Sequence, residues 1–207
     1  MTKGLFVSIE GIEGAGKSTL IEHLKKHAQF QSDTLFTREP GGTPIAEAIR
    51  KILVSREHSD MEAMTELLLV YASRQEHIRK VIEPELSAGK IVISDRFYDA
   101  SYAYQAGGRH LDVDILAKLD DWVVQKTTPR LTILIKAPIQ LCLDRVYSRG
   151  NQDRFDDESS PFFMAVQSMY TQRADRDPDR FLIVDGTQSP DEILDICVSK
   201  ILSLRKL

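Results

Sequence analysis

The chain has 207 residues, 42% of them apolar and 28% charged, with 27 Lys and Arg against 31 Asp and Glu for a formal net charge of −4. That length buries a real core in one domain spanning 1–207, and the ordinary apolar share excludes long disorder, collagen-like repeats and disulfide scaffolds. The mild acidity excludes a protein whose main task is coating nucleic acid, because such affinity rests on many Lys and Arg contacts to phosphate.

Strand candidates at Leu5–Ile9, Thr34–Thr37, Ile91–Ser94, Leu131–Ile135 and Phe181–Val184 alternate with helical patterns near 17–29, 44–54, 62–87, 112–126, 138–149, 160–174 and 190–204. Alternation of this kind predicts a five-stranded parallel sheet flanked by helices, a three-layer α/β fold. Thr43-Pro44, Ala137-Pro138 and Ser189-Pro190 mark three helix starts, since proline suits the first turn, where its missing N–H costs nothing. No run approaches the ~18 consecutive apolar residues of a membrane span, and MTKGLFVSIE lacks the apolar region and cleavage site of a secretory leader, so a cytoplasmic protein is expected. Cys142 and Cys197 sit in apolar helical patterns without metal-ligand spacing and read as buried free thiols.

Between the first strand and the first helix stands Gly11-Ile12-Glu13-Gly14-Ala15-Gly16-Lys17-Ser18, a full match to G-x-x-x-x-G-K-[ST] in the strand-to-helix context that gives the pattern its meaning. Glycines let backbone N–H groups point inward at phosphate oxygens, Lys17 bridges the β- and γ-phosphates, and the Ser18 hydroxyl ligates Mg²⁺. A guanine-reading Asn-Lys-x-Asp is absent: the sole asparagine is Asn151, followed by Gln152, and there is no Asp-x-x-Gly switch segment, which argues against a regulatory GTPase.

After the second strand, Thr37-Arg38-Glu39-Pro40-Gly41-Gly42-Thr43 makes a tight turn that holds Arg38 either beside the ligand crevice or as an ordinary surface residue. Asp95-Arg96-Phe97-Tyr98-Asp99 ends the third strand, where ligands gather in open parallel sheets. Asp95 is placed to hold Mg²⁺ through water and Arg96 to grip an acceptor phosphate; a structural ion pair capping the strand is the alternative. Arg145 and Arg149 share a helical face, and Arg154 follows in the polar run 148–160, which reads as a mobile lid or as an exposed loop. Three guanidiniums near a bound triphosphate would neutralise charge on a transferring phosphoryl group, whereas the neighbouring carboxylates offer plain surface pairing instead.

Together the runs Glu10 to Thr19, Phe36 to Thr43, Asp95 to Gln105, Glu66-Leu67-Leu68-Leu69 leading to Arg74 and His77, and Asp185-Gly186-Thr187-Gln188 resemble the thymidylate kinase family over nearly the whole chain. The resemblance implies a P-loop fold and transfer of the γ-phosphoryl group of MgATP to dTMP in dTTP synthesis, by a homodimer. Besides Lys17 and Ser18, Gly11, Ile12, Glu13, Gly14, Ala15, Gly16, Thr19, Arg145 and Gln188 would then contact ATP. Arg38 and Arg96 would hold the dTMP phosphate, with Pro40 close by. Arg74, Ser101 and Gln105 would meet the base, Val70 would pack on it, Tyr104 would close against the deoxyribose, and Glu13 would sit near the sugar hydroxyl or metal. Because the phosphate loop carries no basic residue before Lys17, the likeness is to bacterial members in which the lid supplies the catalytic arginine, giving Arg149 and Arg154 the transition-state role. Val70 replaces the aromatic residue usual there, Glu76 the usual Gln, and Lys136 an uncharged or acidic residue. The competing readings are a kinase for another nucleoside monophosphate such as dUMP, and a nucleotide-binding regulator without chemistry.

Overall fold

Five strands form one parallel sheet: β1 (Leu5–Glu10), β2 (Thr34–Arg38), β3 (Ile91–Asp95), β4 (Leu131–Lys136) and β5 (Phe181–Asp185), ordered β2-β3-β1-β4-β5. The structure is a computed structural model and describes residues 4–148, 150 and 153–205. Each strand extends the expected apolar run by one residue, and that residue is polar: Glu10, Arg38, Asp95, Lys136 and Asp185 all stand at carboxyl ends. A parallel sheet directs those ends to one rim, which is why the chemistry collects there.

Side chains alternate along β1, as a strand demands. Leu5, Val7 and Ile9 join a core cluster with Leu20 and Leu24 of α1 (Lys17–Lys26) and Cys197 and Ile201 of α9 (Pro190–Arg205). Phe6 packs instead with Ile78, Ile82, Val92, Phe97 and Val124. Each large aliphatic side chain so buried stabilises the fold by about 2 kcal/mol relative to exposure. Both cysteines are free and buried, and burial alone pushes the Cys197 thiol up to about 12.

The predicted helix starts hold. Thr43 caps α2 (Pro44–Val54), its hydroxyl accepting from the Ala46 N–H at 3.1 Å, and Ser189 exchanges hydrogen bonds with Glu192 in the first turn of α9. α7 (Ile139–Ser148) follows Pro138, and α8 (Ser160–Arg176) is capped by Ser159. Two helices depart from expectation. The run 62–87 is α3 (Ala63–His77), a π-helical turn (Ile78–Ile82) and α4 (Glu83–Ser87), because Pro84 has no N–H to continue the ladder and its ring crowds the preceding turn. Residues 98–108, unassigned by periodicity, form α5 (Tyr98–Ser101) and a π-helical segment (Tyr102–Gly108) ahead of α6 (Val113–Val123).

Candidate active site

Residues 11–16 leave the end of β1 and turn into α1. A Cβ on Gly14, whose φ is 75°, would run into the Cys142 carbonyl, so this position admits only glycine. The loop delivers the N-terminus of α1, with its unpaired N–H groups, to an open cleft. Glu13, Gly14, Ala15, Gly16, Lys17, Ser18 and Thr19 line the cleft, while Gly11 and Ile12 lie beneath, their carbonyls accepting from the Lys17 ammonium at 2.9 Å each. Burial, aided by nearby Arg96, pushes that ammonium down to about 8 against the pull of Asp95, Glu13 and Glu10. Arg145 reaches from α7 to the Gly14 carbonyl at 3.1 Å and the Gly186 carbonyl at 3.4 Å, and Gln188 lines the same cleft.

Arg96 stands at the rim with φ 68°, a left-handed backbone that costs a bulky residue about 1–3 kcal/mol and is held by its surroundings. Its guanidinium donates to the Gly11 carbonyl at 2.9 Å, Glu13 at 2.7 Å, and the hydroxyls of Tyr104 and Tyr170 at 2.9 and 3.2 Å. Burial would raise the Glu13 carboxyl, yet Arg96, Lys17 and the Tyr104 hydroxyl, which donates to it at 2.5 Å, hold it below its ordinary value. Ser18 and Asp95 share the cleft wall. Asp95 Oδ1 is buried and accepts no hydrogen bond among the described residues, so an acceptor oxygen beside the Ser18 hydroxyl is left for a cation.

A second cavity adjoins the cleft. Glu13, Arg50, Arg96 and Asp153 line both spaces. Its floor is built on Arg74, whose fully buried guanidinium donates to Glu39 at 2.7 Å, Ser101 at 3.0 Å and the Phe97 carbonyl at 3.3 Å. Pro40, Val70, Ser101, Tyr104, Gln105 and Phe155 complete the walls. Gln105 is fixed by Glu66, to which it donates at 2.8 Å. The π-helical spacing after Tyr98 presents Tyr104 and Gln105 together with Ser101 to one cavity.

The structure thus brings together most residues singled out from sequence, with three exceptions. Arg38 lines a neighbouring groove with Ser18 and Asp95 and is paired with Glu47 at 2.8 Å, outside the second cavity. Arg154 turns its guanidinium to Glu66 at 2.7 Å and the Leu53 carbonyl at 2.5 Å, with no hydrogen bond to the phosphate loop. Arg149 lies outside the described residues.

A family model described as thymidylate kinase matches residues 9–196. The thymidylate kinase of Pseudomonas savastanoi pv. phaseolicola is 45% identical over 207 residues, covering 98% of this chain and 99% of that one. That of Ectopseudomonas mendocina is 46% identical over 187 residues, covering 90% and 89%. Among solved structures, thymidylate kinase from Ehrlichia chaffeensis superposes with a TM-score of 0.76 at 29% identity, over 97% of this chain and 99% of that chain. The chain belongs to the thymidylate kinase family.

Set beside the thymidylate kinase resemblance read from sequence, two side chains of the site had been given no role. Arg50 lines both cavities and donates to the Pro40 carbonyl at 3.0 Å; burial first, then Arg38 and more weakly Arg96, lower its proton affinity against the opposing pull of Asp153 and Glu47. Its signal was the shared helix face of Glu47, Arg50, Leu53 and Val54, which spacing alone shows. Glu39, fully paired with Arg74 and with His77 at 3.0 Å, sets the Arg74 geometry from within the loop that follows β2. Val70 does line the second cavity, so the aliphatic residue at this thymidylate kinase family position keeps its contact with that space.

Proposed function

We propose that this protein transfers the γ-phosphoryl group of ATP to dTMP, giving dTDP and ADP for dTTP synthesis. The observation that carries the reading is the meeting of two cavities along Glu13, Arg50, Arg96 and Asp153: one begins at a phosphate loop, the other is walled by Val70, Arg74, Ser101, Tyr104 and Gln105. In this reading Lys17, the loop N–H groups and Arg145 hold the ATP phosphates, with Gln188 near the adenine. Arg96 and Arg50 hold the acceptor phosphate, and Arg38 stands in the adjoining groove. Arg74, Ser101, Gln105 and Val70 meet the base, Tyr104 packs on the sugar, and Glu13 orients Arg96.

The acceptor phosphate is already anionic near neutral pH, so no general base is required. What has to be overcome is repulsion between two polyanions, and aligned positive groups do that. Ser18 and Asp95 would hold Mg²⁺, which when bound neutralises charge on the β- and γ-phosphates; the unpartnered Asp95 Oδ1 fits this duty. The transition-state role that the family resemblance gives to a lid arginine falls to Arg149, with Arg145 supporting the ATP, since Arg154 is engaged elsewhere. Excluding water by a closing lid would protect ATP from hydrolysis.

The protein acts as a homodimer in this proposal. Ile45 and Ile52 on α2 and Met64 and Leu68 on α3 are exposed apolar side chains on adjacent helices, a surface suited to a second copy. None of the described helices is long and apolar enough to cross a membrane.

Multiple-turnover formation of ADP with and without dTMP tests the function. The account expects ADP to form only when dTMP is present; binding of both nucleotides without turnover would instead identify a regulator.

A further inference from the structure

Glu66 occupies a position that the transfer chemistry does not explain. It is wholly buried in the first turn of α3, yet its two oxygens serve three partners from two other parts of the chain. Oε1 accepts from Gln105 in the wall of the nucleoside cavity at 2.8 Å. Oε2 accepts from Arg154 at 2.7 Å and from Arg109 at 3.3 Å, and Arg109 in turn pairs with Glu158 at 2.5 Å. One carboxylate therefore ties the segment 153–158 to the base pocket.

Arg154 is suited to be fastened rather than to act. Its guanidinium and its backbone N–H donate to the Leu53 and Val54 carbonyls, at 2.5 and 3.2 Å. These are the last residues of α2, where carbonyls lack helical partners and the helix end favours a cation. The same guanidinium lies 4.4 Å above the Phe155 ring. Phe155 is thereby seated as a wall of the nucleoside cavity, edge-on to Tyr104 with centroids 5.9 Å apart.

We propose that Glu66 is a positioning residue for the acceptor nucleotide: through Arg154 it fastens segment 153–158 to α2 and α3 and so holds Phe155 against the nucleoside. Glu66 and Arg154 act on binding of the acceptor, not on the moving phosphoryl group. A buried guanidinium already satisfied by a carboxylate and a helix-end carbonyl is an anchor, and the residue it anchors is the one that reaches the cavity. The inference rests on reading that cavity as the dTMP site.

The experiment measures kcat and KM for dTMP and for ATP in the parent protein, Arg154→Gln, Phe155→Ala, Arg154→Gln with Phe155→Ala, Arg154→Lys and Glu66→Gln, with a thermal melt of each. Turnover of dTMP by the parent protein is recorded first, so a failure of the functional reading shows before any variant is compared. Loss of a charged buried hydrogen bond for Arg154→Gln, and loss of the ring from the cavity wall for Phe155→Ala, each predict a rise of about tenfold in the dTMP KM, with kcat changed by no more than about twofold. The double variant should be no worse than the larger single one, because both remove the same seat. Arg154→Lys should recover part of the loss. Glu66→Gln, if it folds, should raise the dTMP KM in the same way; if it does not fold, the Arg154 and Phe155 variants decide the matter alone. A fall of about a hundredfold in kcat for Arg154→Gln at unchanged dTMP KM overturns the proposal, as does multiplication of the two single effects in the double variant, or no change in either single variant.

Discussion

Glu10 gives the sharpest stability prediction. It ends β1 behind the phosphate loop, fully buried, with Oε1 accepting from the Phe97 N–H at 2.7 Å and Oε2 from the Tyr170 hydroxyl at 2.8 Å. Burial, reinforced by Asp99, raises its carboxyl from 4.5 to about 8, against the opposing pull of Arg96 and the two hydrogen bonds. Because the folded chain keeps a proton that the unfolded chain gives up near 4.5, the folded state binds more protons across that interval and stability falls as pH rises. At about 1.4 kcal/mol per pH unit the whole displacement is worth roughly 5 kcal/mol, present below the unfolded value and lost on passing the folded one. Glu10→Gln preserves the acceptor for the Phe97 N–H and removes the titration. Urea unfolding of both proteins between about pH 5 and 8 should therefore show the wild-type curve falling relative to the variant. Lys17, depressed to about 8 and held up in part by Glu10, works with the opposite sign above that pH, so the comparison is read below it. A difference between the two proteins that stays flat across the window would refute the reasoning.

Three further outcomes follow from the geometry. Arg50→Ala should raise the dTMP KM by about tenfold or more, and more than the ATP KM, since it removes a charged donor at the junction of the cavities; steady-state kinetics with each nucleotide varied checks this. Asp95→Asn should shift the Mg²⁺ dependence of turnover to higher concentration, because a neutral amide holds the cation less well than the unpartnered carboxylate oxygen; a magnesium titration at fixed ATP reads it. Leu68→Glu places a charge on the exposed face of α3 and should give monomers by sedimentation, with the melting temperature little altered because the side chain is half exposed in the single chain.

The fold was legible in the sequence because a parallel sheet writes itself as apolar runs separated by helical periods, and all five strands stand where those runs predicted. Caps that rest on local chemistry, such as Thr43-Pro44, were equally visible. The π-helical segment Tyr102–Gly108 was not, because its turn differs from 3.6 residues and its aromatic and glycine content matches no simple period. Within the site, residues fixed by backbone motif, from Gly11 to Ser18 and Asp95-Arg96, stand where their spacing said. Two long flexible side chains did not follow suit. Arg38 and Arg154 each found a carboxylate across a tertiary contact, Glu47 and Glu66, and nothing in a one-dimensional pattern chooses between a phosphate and a buried carboxylate as the partner of an arginine.

The most direct test of the account follows the label from γ-³²P-ATP with Mg²⁺ while dTMP, dUMP, dCMP and dGMP are offered in turn. The account predicts that label appears on the diphosphate of the acceptor, with the highest kcat/KM for dTMP. Label retained on ATP, released only as inorganic phosphate, or passed more efficiently to another acceptor would contradict it.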